Sequence, residues 1–287
     1  MTKPPLVLDA HGKHAQAVHF TRDGKHLVSA GQDARVRVWS VPGFKAERAL
    51  EGHEKSVNGL SFSADEKLLA TGSSDPSVRV WSFPDGRCLF ALEKQVSAAL
   101  SPAGDHLATI SAKGEVALFD VAGQRELRRF GALDKRPTAL CFAPNGTFLF
   151  VGGTAGIHRL ALPDGTSDGL QRGHQIGVAC IGASPNGSIL GSTGLDGTLR
   201  FWTIVGGDEV CTVPLESQGV LQFAFHPDGR SVAVSTAGAV LRLTAPDGHL
   251  IERHELDLQG VYGVAFSPDG RWLANAAADG RLRVWEL

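Results

Sequence analysis

Short apolar runs recur along the whole chain, and polar, turn-forming residues separate them. Residues 53–92 show one unit. Val57, Leu60 and Phe62 mark a first β-compatible run within SVNGLSF (56–62). A Ser-Ala-Asp-Glu turn follows, and KLLATG (67–72) reads as a second strand. After the turn Ser74-Asp75-Pro76, SVRVWS (77–82) alternates in the two-residue period of a strand. Val78, Val80 and Ser82 share one face, and Arg79 and Trp81 share the other. Phe83-Pro84-Asp85-Gly86 turns the chain again, and RCLFAL (87–92) reads as a fourth strand. Proline presets φ and glycine accepts positive φ, so such turns are tight. No stretch carries a sustained 3.6-residue stripe with caps, so no helix is expected. The unit is a four-stranded antiparallel meander.

The unit is repeated. HFTRDGK (19–25), SFSADEK (61–67), ALSPAGD (99–105), CFAPNGT (141–147), GASPNGS (182–188), AFHPDGR (224–230) and AFSPDGR (265–271) are copies of one phrase. Their second residues are Phe20, Phe62, Leu100, Phe142, Ala183, Phe225 and Phe266, at spacings of 42, 38, 42, 41, 42 and 41. A fixed period of this size means one supersecondary unit in an array. A four-stranded sheet cannot bury both of its apolar faces alone. Packing seven such sheets face to face around an axis solves this. The expected fold is all-β, a seven-bladed β-propeller of four-stranded antiparallel blades forming a single domain over residues 1–287. The last repeat offers only three strands (260–266, 271–276, 281–287), whereas PLVLD (5–9) is a lone extended segment before the first. Residues 4–9 are therefore expected to supply the outer strand of the last blade and close the ring.

Charge and composition narrow the function. Lys plus Arg number 28 against 30 Asp plus Glu, a net charge of −2. That balance gives no electrostatic reason to bind nucleic acid or acidic lipid. No apolar run reaches the roughly 18 residues of a membrane span. The first residues do not read as a secretory signal, and the cysteines are read as free thiols of a reducing compartment, so the cytoplasm is expected. Cys88, Cys141, Cys180 and Cys211 have no metal-ligand spacing. Cys141 and Cys180 lie on first strands of adjacent repeats, which leaves a disulfide open, but free buried thiols are the favoured reading. His19, His26, His106, His158, His226, His249 and His254 are scattered, so no metal and no cofactor are expected. The basic run RELRR (125–129) on an outer strand is read as edge protection rather than a phosphate site.

These residues resemble the WD40-repeat family, in which a Gly-His pair precedes the first strand and a third strand ends in Trp-Asp. Gly52-His53 and Gly173-His174 match, and Ala10-His11 nearly so. Trp39, Trp81, Trp202 and Trp285 hold the tryptophan place, which Phe119, Leu160 and Leu243 take in the other repeats. The resemblance covers essentially the whole chain and implies a buried hydrogen-bond chain in three repeats. Its members are His11, Ser29, Asp33 and Trp39; His53, Thr71, Asp75 and Trp81; and His174, Ser192, Asp196 and Trp202. The last repeat keeps Asn275, Asp279 and Trp285 but has Asp257 at the histidine place. His, Ser and Asp are also the parts of a hydrolase triad. Their recurrence in three repeats, without a Gly-x-Ser-x-Gly elbow, favours a structural role.

The resemblance also implies a binding rim. Three positions per repeat dominate it: six and four residues before each anchor, and the residue before the turn aspartate. They include His14, Gln16 and Gln32 in the first repeat, Asn58 in the second, Lys94 in the third and Arg136 in the fourth. Leu195, Leu221 and Tyr262 follow in the fifth to seventh. Lys94, Lys113, Lys135 and Arg136 form a basic sector suited to an acidic peptide, beside an apolar sector of Leu195, Leu221 and Tyr262. The expected function is a non-catalytic protein–protein interaction scaffold or adaptor, monomeric by itself, with a protein or peptide partner. The alternatives are a hydrolase or lyase using the central tunnel, or a reader of peptides or small molecules. The inner strands carry almost no ionisable residue, which argues against the enzyme.

Overall fold

A computed structural model describes residues 4–130, 133, 136–162, 164–171, 173–215, 222–257 and 260–287. Seven four-stranded antiparallel sheets form the blades. Blade one runs in chain order through Ala15–Phe20, His26–Gly31, Val36–Ser40 and Ala46–Leu50. Blades two to six repeat that order, with first strands Val57–Phe62, Gln95–Leu100, Pro137–Phe142, Val178–Ala183 and Phe223–Phe225. Blade seven has Val261–Phe266, Trp272–Ala277 and Arg281–Glu286 from the end of the chain, and Leu6–Asp9 from its start. Leu6 faces Val284 and Asp9 faces Arg281 in antiparallel register. The expected closure is therefore present.

The hairpin turns follow from their chemistry. In blade four, Gly146 has φ of 73° and donates its N–H to the Ala143 carbonyl at 2.8 Å. Blade two has Glu66 at the matching place, also at positive φ (54°). A side chain strains that backbone, and the Glu66 N–H donates to the Ser63 carbonyl at 3.0 Å to close the turn.

Apolar burial explains why the sheets need one another. The core divides into seven clusters, and each joins two neighbouring blades. Blade one, for example, packs Leu27 and Trp39 against Ala274 and Leu282 of blade seven, and Val28 and Val38 against Leu69 and Trp81 of blade two. First strands of consecutive blades touch all the way round, and that of blade seven touches that of blade one. They therefore line the axis. Burying a large aliphatic or aromatic side chain contributes about 1.5–3 kcal/mol, so each interface outweighs any single hydrogen bond.

All four cysteines are free. Burial pushes the Cys141 thiol up to about 12 and the Cys180 thiol up to about 11, so both stay protonated. On the outer strand Arg125–Phe130, Arg129 pairs with Glu115 and Glu126, each at 2.7 Å. Among the described residues, no helix is long and apolar enough to cross a membrane.

Candidate partner-binding face

Three blades carry a polar chain through their interior. In blade two, the Trp81 indole N–H donates to Thr71 Oγ1 at 2.9 Å. Thr71 Oγ1 lies 2.7 Å from His53 Nε2, and His53 Nδ1 lies 2.9 Å from Asp75 Oδ2. Only one tautomer satisfies all partners: Thr71 donates to Nε2, and Nδ1–H donates to the carboxylate. Blade five repeats this with Trp202, Ser192, His174 and Asp196, and blade one lines up Trp39, Ser29, His11 and Asp33, with Arg37 Nη1 also 2.8 Å from His11 Nδ1.

Burial, opposed by the aspartate, holds all three histidines below their usual pKa and therefore neutral. Burial pushes the Asp196 carboxyl up, but the Gln175 amide, the Thr198 hydroxyl and His174 together outweigh it and bring it down to about 2. The resemblance did not supply those accessory donors. Ser77 and Thr198 sit two residues after the aspartate and donate to it at 2.6 and 2.8 Å, while Arg37 pairs with Asp33 at 2.6 Å. Their signal was the polar residue that follows the turn.

In blades four and six hydrocarbon replaces the network, whereas blade three keeps Thr109, whose buried hydroxyl has no partner among the described residues. Val151 and Leu160 occupy the hydroxyl and indole places in blade four and cluster with Leu133. Val234 and Leu243 do so in blade six, beside Leu215. A polar network is favourable only when every member has a partner. Blade seven keeps Asn275, whose side chain is fully buried with no partner for either polar atom among the described residues. Asp257 is exposed, and Asp279 pairs with Arg283. His254 lies 4.7 Å from the Trp285 ring instead.

The rim positions have a structural cause. A β-bulge interrupts the pairing of first and second strands between Ala15 and Ala17, Val57 and Gly59, Gln95 and Ser97, Pro137 and Ala139, Val178 and Cys180, and Val261 and Val264. The bulged residues include Gln16, Asn58, Thr138 and Tyr262, at the position four before the anchor. A bulge re-aims a side chain that strict alternation would bury or hide. The other two positions meet through the backbone. Gln32 N–H donates to the His14 carbonyl at 2.8 Å, and Leu195 N–H to the Gly177 carbonyl at 3.0 Å. In blade two, Ser56, Asn58 and Ser74 join side chain to side chain at 2.7 and 2.9 Å.

Two contacts extend the rim. Tyr262 and His14 stack with ring centroids 5.7 Å apart, and their polar atoms lie 3.3 Å apart. Leu195 is 47 % exposed, and Ile176, beside its backbone partner Gly177, is 61 % exposed. Ile176 was missed because it lies outside the three family positions. Lys94 and Lys113 are exposed, and no acidic side chain among the described residues pairs with them. Arg136 is exposed on blade four. Leu221, Lys135 and Gly219 lie outside the described residues. No group of three or more His, Cys, Asp or Glu among the described residues could hold a metal.

Seven such blades, with the polar chain in three of them, define a repeat propeller of one recognisable kind. The model of the WD domain, G-beta repeat, matches residues 2–40, 44–82, 165–203 and 247–286, more than half of the chain. The chain belongs to the WD40-repeat family, whose members typically act as protein-interaction scaffolds and are usually non-catalytic. It is 33 % identical to Protein groucho of Drosophila melanogaster over 87 residues, 29 % of this chain and 12 % of that protein. It is 31 % identical to Periodic tryptophan protein 2 of Saccharomyces cerevisiae over 116 residues, 39 % of this chain and 12 % of that protein. It is 33 % identical to Nucleoporin Nup37 of Drosophila melanogaster over 125 residues, 42 % of this chain and 39 % of that protein. The matched stretches thus span between about an eighth and two-fifths of these relatives' lengths.

Proposed function

We propose that this chain is a non-catalytic scaffold or adaptor that presents its bulged rim to a protein or peptide partner. It acts as a monomer in the cytoplasm, without nucleic-acid or membrane partners. The observation that carries the reading is the exposed pair Ile176 and Leu195, which lies on the arc of blades that leads to the stacked Tyr262 and His14. Apolar and aromatic side chains held at the surface by backbone bonds lose little entropy on binding and suit an anchor residue. Lys94, Lys113 and Arg136 continue the arc with positive charge, so the partner segment is apolar at one end and acidic at the other.

The test is a pull-down comparing the native chain with the triple variant Ile176→Asp, Leu195→Asp, Tyr262→Ala. Partners held by the native chain should be lost, with the melting temperature within a few degrees of native. Retention of every partner by the folded triple variant rejects this face.

A further inference from the structure

An antiparallel meander puts its first and second turns at opposite ends of the sheet, so the first hairpin turns surround the other mouth of the tunnel. A funnel of about 680 Å³ opens there, lined by residues from all seven blades. That volume falls within the range of small-ligand sites, about 300–1,000 Å³. Two residues after each anchor, Pro102, Pro144, Pro185, Pro227 and Pro268 form most of a ring around it. Blades one and two break the ring, with Arg22 and Ala64 at the same place.

Blade one departs from the repeat a second time. The residue before the anchor is small in the other blades (Ser61, Ala99, Cys141, Gly182, Ala224, Ala265) and is His19 here. Its ring stacks on Phe62 with centroids 4.8 Å apart, while two-fifths of the side chain stays open to the funnel. Desolvation of its stacked face, and then the charge of Arg22, hold its pKa below the usual 6.5, so it is neutral near pH 7. The only cation lining the funnel among the described residues is Arg22. Its guanidinium makes one long hydrogen bond, 3.4 Å to the Ala64 carbonyl, so most of its five donors remain available. Neither neighbouring carboxylate accepts a hydrogen bond from the guanidinium. Glu66 accepts the backbone N–H of Arg22 at 2.6 Å, and Asp23 accepts from Thr21 Oγ1 and the Lys25 amide.

We propose that this mouth binds a small amphiphilic carboxylate, its head on the Arg22 guanidinium and its apolar body among the proline ring and Phe62. The nearby Glu66 charge favours a single negative charge over a phosphate or a polyanion. Proline rings and stacked aromatics are rigid, so little entropy is lost when the body packs on them. This site lies on the face opposite the rim and stands independently of it.

Calorimetric titration of the full chain with decanoate tests the site, with decanol, decylammonium and a pentapeptide ending in leucine as comparators. Decanoate should bind more tightly than decanol, and Arg22→Gln should weaken decanoate at least tenfold while leaving decanol unchanged. Ala64→Trp, which narrows the funnel, should weaken both. Leu195→Asp on the opposite face should change neither. No decanoate binding, equal affinity for decylammonium, or an unchanged decanoate affinity in the folded Arg22→Gln variant would each overturn the proposal. Binding of the peptide without decanoate would overturn the assignment to a small amphiphile.

Discussion

Arg281 Nε donates to Asp9 Oδ1 at 2.9 Å, across 272 positions of sequence. The two residues end the same pair of strands, and the backbone pairing from Leu6–Val284 to Asp9–Arg281 does most of the fastening. The ion pair itself is exposed and contributes little. Leu8 packs on the cluster shared by blades seven and one, so the closing strand also covers apolar surface.

Removal of residues 1–9 should therefore open the ring. It strips one strand from blade seven and bares the edge of Arg281–Glu286. A loss of several kcal/mol corresponds to about 10 °C or more in a chain of this size. Thermal melting of the truncated and full chains measures it. Equal melting temperatures would show that the terminal strand does not hold the wheel shut.

A second seam lies one turn away. Gly280 has φ of 79°, and its carbonyl accepts the His11 N–H at 2.8 Å. A Cβ there would collide with the carbonyl oxygens of His11 and Lys13, whereas at Gly146 (φ 73°) it would meet open space. Both changes to alanine strain the backbone, by about 1–2 kcal/mol. Gly280→Ala must in addition push blade one away, at a total of about 3 kcal/mol or more. Denaturant titration should rank Gly280→Ala well below Gly146→Ala, and equal midpoints would contradict the close approach.

The internal network makes a different prediction. Thr71→Val keeps the shape of the side chain but strands both the Trp81 N–H and His53 Nε2. Each unsatisfied group costs about 1–3 kcal/mol, so the melting temperature should fall by about 5–10 °C. Thr71→Ser keeps the hydroxyl, as Ser29 and Ser192 do in blades one and five, and loses one methyl, about 0.8 kcal/mol. If valine is tolerated as well as serine, the hydrogen bonds are not what the site requires.

How much of this was legible in the chain depends on what each feature needs. The blade count and the closing strand rest on local phrases at fixed spacing, and the seven turn sequences carry them, whereas the members of the polar chain came from the family resemblance. Strand faces were harder to read. Alternation separates Val80 from Trp81, yet both are buried, because each blade packs on both sides. The stacking of His14 on Tyr262 joins residues 248 apart and exists only once the ring closes. The bulge that re-aims Asn58 leaves no mark in the apolar pattern. The funnel takes two or more residues from every repeat, so Arg22 and His19 stand out only when the turns are set side by side.

Acid should weaken the fold in two stages. His11, His53 and His174 all have folded pKa values below the unfolded 6.5, chiefly through burial. As pH falls below about 6.5, the unfolded chain takes up protons that the folded chain refuses, so stability declines. Each histidine adds a slope of at most about 1.4 kcal/mol per pH unit. Asp196 has the complementary behaviour. Its carboxyl is held down to about 2 against an unfolded 3.8, so its contribution is complete above pH 3.8 and is lost as pH falls towards 2. Asp33 and Asp75 shift in the same direction, their hydrogen bonds outweighing burial. Melting temperature should be level from about pH 8 to 7, fall between 6.5 and 4, and fall more steeply below 4. Replacing His53 by Asn should make the middle segment shallower. A profile level down to pH 4.5 would mean that the histidines are not held neutral in the folded blades.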